Sequence, residues 1–315
     1  MRSLLESDNA CRPRIICGLH RSGTTFVGEI LRRAGVCVVH EPLNERFGML
    51  GVPIAYPFVE KRSDYYSVLL DDAVAFARPW NKNADFVRAK GLRRKLYGVT
   101  GGRAGLCWDW LRFRQVIGMP NSQIFLKDPF MSLATPWLVR HHGLRVLCMV
   151  RHPAAIHYST EKMNWCFDIE NLFSQSELID RYGRDIPEAH WDSARKHGAA
   201  SIALLWKLMV RINSALAQND ERMLVITHET LCLDPLDTAS NICRHFGISF
   251  TPALERFVVE HSEGDRSEAK SGRAHDFKRN SQAIPNIWQG KLSTEEEQLI
   301  VDIAGEEILK LYGRA

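Results

Sequence analysis

Short apolar runs recur along the chain, each closed by a polar or glycine-rich turn. They are Arg14–Gly18 (RIICG), the stretch GVCVVHEP ending at His40, Glu41 and Pro42, Gln123–Lys127 (QIFLK), Leu144–Val150 (LRVLCMV) and Arg222–Thr227 (RMLVIT). The central runs are apolar throughout and do not alternate, the pattern of strands buried on both faces. Helical stripes fall between them. Phe26, Val27, Ile30 and Leu31 share one face after the first run, Leu133–Val139 begins a helix, and Pro153 suits a first helical turn. Ala194–Ala217 reads as the longest amphipathic helix, Pro235–Phe246 as a helix closed by Gly247, and Leu292–Tyr312 as a last helix capped by Ser293 with Glu296 three residues on. Strands alternating with helices at crossover spacing predict an α/β fold with a parallel sheet covered on both faces.

The stretch 44–121 breaks this rhythm. It is rich in Pro, Gly, Tyr, Trp and Arg, with patchy periodicity at Tyr65–Phe76 and near Trp108–Phe113. A connection this long is more often functional than inert. It is expected to be an insertion over an acceptor site, with Tyr65, Tyr66, Trp80, Trp108, Trp110 and Arg112 as a candidate wall, although aromatic stripes more often serve as core. The insertion has no core of its own in this reading, so residues 1–315 are expected to form a single domain.

Composition changes the picture mainly by exclusion. The chain has 315 residues, 45% apolar and 25% charged, with a net charge of +4, the balance of a soluble globular protein. Its N-terminus lacks the apolar run of a signal peptide and no window offers about 18 uncharged apolar residues, so a cytoplasmic protein with no membrane partner is expected. Eight cysteines are scattered without a CxxC pair, which makes zinc, iron–sulfur or dithiol chemistry unexpected and suggests buried thiols; no metal site is assigned. The acidic tract STEEEQLIVDIAGEEI argues against a nucleic-acid polymer as partner. Oligomeric state is not encoded legibly, and a homodimer is allowed.

The chemistry gathers where the strands end, because ligands of a parallel sheet bind outside its strand C-termini. Gly18-x-x-x-x-Gly23-Thr24-Thr25, between a strand and a helix, has the spacing of a P-loop, whose backbone N–H groups converge on a phosphate. The usual lysine of that motif is missing, and the basic residue is Arg21. Mg²⁺-assisted γ-phosphoryl transfer is thereby disfavoured, and His20, Arg21, Ser22, Gly23, Thr24 and Thr25 become the candidate anion cradle. Glu41 is the candidate general base. His40 competes, but strand alternation turns the two side chains oppositely. Lys127 can stabilise charge on a leaving oxygen, or merely snorkel at a strand end while Asp128 caps the next helix. Arg151 with Ser159 suits a second phosphate. His228 and Glu229 either touch an acceptor or tie their loop by hydrogen bonds, and the basic residues Lys278 and Arg279 stand near the same expected cleft.

Together these residues resemble the sulfotransferase superfamily, which uses 3'-phosphoadenosine 5'-phosphosulfate. Gly18–Thr25 looks like its 5'-phosphosulfate loop, and Arg151-His-Pro…Ser159 looks like its 3'-phosphate motif. Glu41, Lys127-Asp128-Pro129-Phe130 and the segment Asn280-Ser281-Gln282-Ala283-Ile284…Trp288 are similar to the tyrosylprotein and carbohydrate branches, a resemblance that implies Ser281 assists Lys127. The basic glycine-rich C-terminal motif of the steroid and phenol branch is missing. The implied reaction is in-line transfer of a sulfuryl group from that donor, as cosubstrate and without a metal, to a hydroxyl, or second to an amine, of a small-molecule, glycan or peptide acceptor. The competing expectations are a P-loop small-molecule kinase and a non-catalytic phosphoadenosine-binding protein.

Overall fold

The structure is a computed structural model that describes residues 12–45, 48–53, 56–62, 65–78, 123–196, 198–263 and 281–313. Five strands form one wholly parallel sheet, β1 (Arg14–Cys17), β2 (Cys37–His40), β3 (Ile124–Lys127), β4 (Val146–Val150) and β5 (Met223–Thr227), in the order β2-β3-β1-β4-β5. The five apolar runs are these five strands. β1 sits at the centre, so chain order reverses beside it, and the loops leaving β1 and its neighbours open on the same edge.

Strand residues alternate between two cores, which is why they read as continuously apolar. Ile15, Cys17, Val39, Leu126, Val146, Cys148 and Val150 face one cluster, while Ile16, Val38, Phe125, Leu147 and Met149 face the other. On the second face lie α1 (Thr24–Arg33), α8 (Pro235–His245) and α9 (Pro252–Ser262), in this order among ten labelled helices. The first face carries α2 (Tyr66–Ala75), α3 (Thr135–Arg140), α4 (Pro153–Glu161), α5 (Glu188–Lys196), α6 (Gly198–Ala217) and α10 (Thr294–Tyr312). The remaining helix, α7 (His228–Leu233), starts directly from β5 with Thr227 as N-cap.

Helix α6 departs from expectation. It is not amphipathic over Ala194–Ala217 but begins at Gly198 and is buried on nearly every side, from Ala199 to Leu216. By length and composition it could cross a membrane, yet its apolar surface is spent inside the protein. It packs on α5, α4 and α10, so a helix that is apolar all round is here a core helix. Its Trp206 Nε1 donates to the carbonyl of Arg151 at 2.8 Å, fixing the exit of β4. Helix α10 has the expected capping box, with Ser293 and Glu296 reciprocally bonded.

Of the long connection after β2, the described helix is α2, close to the periodicity at Tyr65–Phe76. Trp80, Trp108, Trp110 and Arg112 lie outside the described residues. Helix α9 was not anticipated, although Thr251 as N-cap and Pro252 at the first position are legible start signals. Among described cysteines, Cys17, Cys148, Cys232 and Cys243 are buried, Cys37 is half-buried and Cys166 is exposed.

Candidate active site

The turn after β1 is set by backbone conformations that need glycine. Gly18 has φ +127°, and a Cβ there would lie 2.1 Å from the carbonyl oxygen of Met149 on β4. Gly23 has φ +93°, and its Cβ would lie 2.7 Å from His228 Cδ2. Gly23 is the second glycine of the P-loop spacing, and the next position, which carries lysine in nucleotide triphosphatases, is Thr24, so the kinase alternative lacks its phosphate-binding lysine. Arg21 is also left-handed, at φ 70°. The Gly18 N–H donates to Ser132 Oγ at 3.0 Å, and the Asp128 N–H donates to the carbonyl of Ile16 at 2.9 Å. The turn is therefore fastened to the loop after β3, and it leads directly into the N-terminus of α1, the end of a helix that favours anions.

Beside this turn is a cavity of about 580 Å³, lined by residues from every strand exit. His20, Arg21, Gly23, Thr24, Thr25, Glu41, Lys127, Arg151 and Ser281 all reach it. The two phosphate motifs meet there. Arg151 Nη1 donates to the Arg21 carbonyl at 2.9 Å, and Arg21 Nε donates to Ser159 Oγ at 2.8 Å. Ser159 thus positions Arg21 and does not itself line the cavity. Ser22 is also off the wall. Its side chain is fully buried beneath the turn, and its Oγ has no hydrogen-bond partner among the described residues. Lys278 and Arg279 lie outside the described residues.

Glu41 and Lys127 both line the cavity and are bonded to each other. Lys127 Nζ donates to Glu41 Oε1 at 2.8 Å and Asn44 Nδ2 donates to Oε2 at 2.8 Å. Lys127 is only 4% exposed, and Glu41 has φ 52°, a left-handed conformation that costs a non-glycine residue about 1 kcal/mol or more and gathers at functional sites. Burial pushes the Glu41 carboxyl up. The charge and hydrogen bond of Lys127, with His20 and Asn44, outweigh burial and hold it at about 2. His40 goes the other way: it follows Val38 onto the face of α1, where its Nε2 lies 3.0 Å from Arg32 Nη2, and it does not reach the cavity. The alternation along β2 is the reason.

The remaining sequence candidates sort by their bonds. Asp128 is a fully buried fastener, accepting from Leu43 N at 2.6 Å and from Phe130 N at 2.9 Å. Burial, against those two N–H groups, pushes its carboxyl up to about 7. Ser281 lines the cavity, but its hydroxyl donates to the Cys232 carbonyl at 2.8 Å and not toward Lys127. Glu229 ties its loop, accepting from His152 N at 2.9 Å and from the Tyr312 hydroxyl at 3.1 Å. His228 packs against Gly23 and lines the cavity.

Several lining residues had no motif to announce them. Tyr56, Phe130 and Phe167 ring His20, whose centroid is 5.0 Å from Phe130 and 5.6 Å from Phe167, with the Tyr56 hydroxyl 3.4 Å from His20 Nδ1. His20 was expected on the anion, and stands instead among these rings. Burial, with the nearby cations Lys127 and Arg21 and against the pull of Glu41, lowers it to about 4, so it is neutral at pH 7. Trp165 stands 6.4 Å from the same imidazole, and Glu45, Asp168, Phe26, Leu231, His261 and Ile284 also line the cavity.

Residues 13–252 match the model of the sulfotransferase family. The chain matches no curated protein. Among solved structures it is similar to the sulfotransferase domain of the Synechococcus PCC 7002 olefin synthase, at 17% identity and TM-score 0.45, over 94% of this chain and 96% of that one. A mouse sulfotransferase complexed with PAP is similar at 12% identity and TM-score 0.48, over 99% and 92%. Sulfotransferase STF9 from Mycobacterium avium is similar at 17% identity and TM-score 0.41, over 100% and 80%.

Proposed function

The chain belongs to the sulfotransferase family, and from that premise we propose that its cavity transfers a sulfuryl group with Glu41 as base and Lys127 as the leaving-group cation. The reaction is sulfuryl transfer from 3'-phosphoadenosine 5'-phosphosulfate to a hydroxyl or amine of an acceptor. The observation that carries the residue assignment is the joining of three strand exits at one point: the Gly18–Thr25 turn, Glu41 and Lys127, with Arg151 bonded back to Arg21.

Arg21, Thr24, Thr25 and the first N–H groups of α1 hold the 5' anionic end of the donor, and Arg151 holds its 3'-phosphate. Glu41 takes the acceptor proton as the acceptor oxygen forms its bond to sulfur. Lys127 offsets the charge that grows on the bridging oxygen as the sulfur–oxygen bond to the nucleotide breaks. The sulfated acceptor leaves with the sulfuryl group, and the nucleotide leaves with the electron pair of the broken bond.

The 2.8 Å Lys127–Glu41 contact gives the pair a second property. While Lys127 is on Glu41 the carboxylate is a weak base, and turning Lys127 toward the donor raises its basicity, since burial is then opposed only by His20 and the Asn44 hydrogen bond. Donor binding thus readies the base. The likeness to the tyrosylprotein and carbohydrate branches is supported by Glu41, Lys127 and Phe130 sharing one cavity; the bond of Ser281 to Cys232 supports no direct role for that hydroxyl at Lys127.

The test is label transfer from sulfur-labelled donor to a panel of hydroxyl and amine acceptors, with Glu41→Gln and Lys127→Ala in parallel. Transfer by the parent and near-complete loss in both variants is the expected result. Undiminished turnover by Glu41→Gln would remove Glu41 as base.

A further inference from the structure

Away from the cavity, α2 and the end of α3 bring together three side chains that can act as metal ligands. Asp71 of α2, His141 and His142 each offer one ligand atom, and these atoms lie within 4.8 Å of one another. None of the three lines the cavity. The two imidazoles gather there because α3 stops there. His141 is its C-cap, and the N–H groups of His141 and His142 both donate to the Trp137 carbonyl, at 2.9 and 3.3 Å. The shared carbonyl winds the helix end tightly and keeps both rings beside the Trp137 indole.

Trp137 orients the set. Its buried indole lies flat on the His141 ring, with centroids 3.9 Å apart at 12°, and its Nε1 donates to Asp71 Oδ1 at 3.0 Å. Metal sites rely on outer partners that fix their ligands in this way. His142 Nε2 stands 2.8 Å from the same Oδ1. Both bonds to Asp71 end on Oδ1, so Oδ2 can meet an ion while Trp137 keeps its hold. The two imidazoles cross at 90° with centres 4.9 Å apart. Two rings bound to one ion through nitrogens at about 2.0–2.1 Å have centres about 5 Å apart. No guanidinium among the described residues holds the Asp71 carboxylate: Arg140 is on Glu60, and Arg222 and Arg12, which flank Gly143, are on Asp220 and on the His142 carbonyl.

We propose that Asp71, His141 and His142 form a Zn²⁺ site that clips α2, within the long connection after β2, to the turn between α3 and β4. Two imidazole nitrogens and a carboxylate oxygen suit zinc, and a water fills the fourth position. On binding, His142 carries its hydrogen on Nδ1 and turns Nε2 from Oδ1 to the ion. The set contains no cysteine, which is why the scatter of the cysteines along the sequence did not announce it. The clip stands apart from the transfer chemistry at Glu41 and Lys127.

The test is zinc binding by the full chain after metal removal with EDTA, read by calorimetry, with Co²⁺ then put in place of zinc to report its ligands by absorption. The parent is expected to take one equivalent of Zn²⁺, and its Co²⁺ form to show tetrahedral visible bands without the near-ultraviolet band of thiolate ligation. His141→Gln, at an exposed position, and Asp71→Asn are each expected to lower zinc affinity by about 100-fold or more, beyond the roughly 10- to 100-fold cost of losing an outer partner. Trp137→Phe keeps a stacked ring, removes the N–H and is expected to lower it by about 10-fold. Circular dichroism checks that each variant is folded. No zinc binding by the folded parent, thiolate bands in its Co²⁺ form, or full binding by the double variant His141→Gln, Asp71→Asn overturns the site and leaves Asp71 and His142 as a hydrogen-bonded pair. None of these readouts uses a sulfuryl donor, so they are independent of the outcome at Glu41.

Discussion

The donor side of the cavity is made by one short turn, Gly18–Thr25, and by the exit of β4. Its acceptor side is made by Glu41, Tyr56, Phe130 and the run Trp165–Asp168, which come from separate segments of the chain. On the proposed donor side two left-handed glycines set the backbone of the turn, Arg151 is bonded to the Arg21 carbonyl, and the Arg21 side chain is bonded to Ser159. Across the cavity the wall is side chain, with the His20 imidazole held edge to face by Phe130 and Phe167. A backbone cradle recognises what every member of a reaction class shares, an anionic donor. A wall of side chains can be changed residue by residue without touching the sheet, and it decides which acceptor enters.

Lys127 and Glu41 lie on the boundary, and changing them gives the largest expected effect. Lys127→Ala and Glu41→Gln are each expected to lower kcat by about 10²- to 10⁴-fold. The dissociation constant for PAP, read by calorimetry, is expected to stay within about threefold for Glu41→Gln. A collapse of PAP binding in that variant would break the separation of the two halves.

Gly23→Ala strikes the donor side alone. The new methyl must adopt φ near +93° and meet the buried ring of His228 at 2.7 Å, so the turn has to shift. PAP affinity is expected to fall by about 10- to 100-fold, from about 1–3 kcal/mol of backbone strain expressed in the cradle, while the KM for the acceptor at saturating donor is preserved. A changed acceptor KM would show that the halves are coupled through the turn.

How legible each half was in the sequence follows from the same difference. The donor motif could be read because its parts are neighbours in sequence and its backbone demands are met only by particular residues, above all Gly18 and Gly23. The five strands were visible because both sheet faces are buried, and the Ser293 cap because its partner Glu296 is three residues away. Tyr56, Phe167 and Asp168 carried no such signal. Their meeting depends on long-range packing around His20, and a ring placed by packing looks in sequence like any core aromatic. His20 itself was placed on the anion because it adjoins Arg21, whereas the left-handed backbone at Arg21 separates the directions of the two side chains. Helix α6 was misread as amphipathic because a helix covered by other helices shows its packing only in three dimensions.

The Lys127–Glu41 pair also predicts how stability depends on pH. The Glu41 carboxyl is lowered from 4.5 to about 2 in the folded protein, so its contribution is fully present above pH 4.5 and is lost as pH falls toward 2. In Lys127→Ala the carboxylate keeps its burial and loses its main partner. The variant is expected to be less stable than the parent by about 1–3 kcal/mol at pH 7, and the gap is expected to narrow as pH falls toward about 2, because the variant's buried Glu41 takes up its proton at a higher pH than the parent's. Urea unfolding at pH 7, 5 and 4 reads this directly. A gap independent of pH would assign the loss to packing at Lys127 and not to the ion pair.

The smallest expected effect belongs to His40, one residue from the base. In a strand, adjacent side chains face opposite sides of the sheet. Val38 lies in the core under α1, against Gly28, while Val39 lies in the core of the other face. His40 follows Val38, meets Arg32 of α1 and is partly exposed. The left-handed turn at Glu41 then brings the next side chain back over the strand end to Lys127. His40→Ala therefore removes a surface contact worth at most about 1 kcal/mol and leaves both cavity halves untouched, so kcat and PAP affinity are each expected to remain within about twofold of the parent. A loss approaching that of Glu41→Gln would mean that β2 shifts its register by one residue in solution, and the whole assignment of the base would move with it.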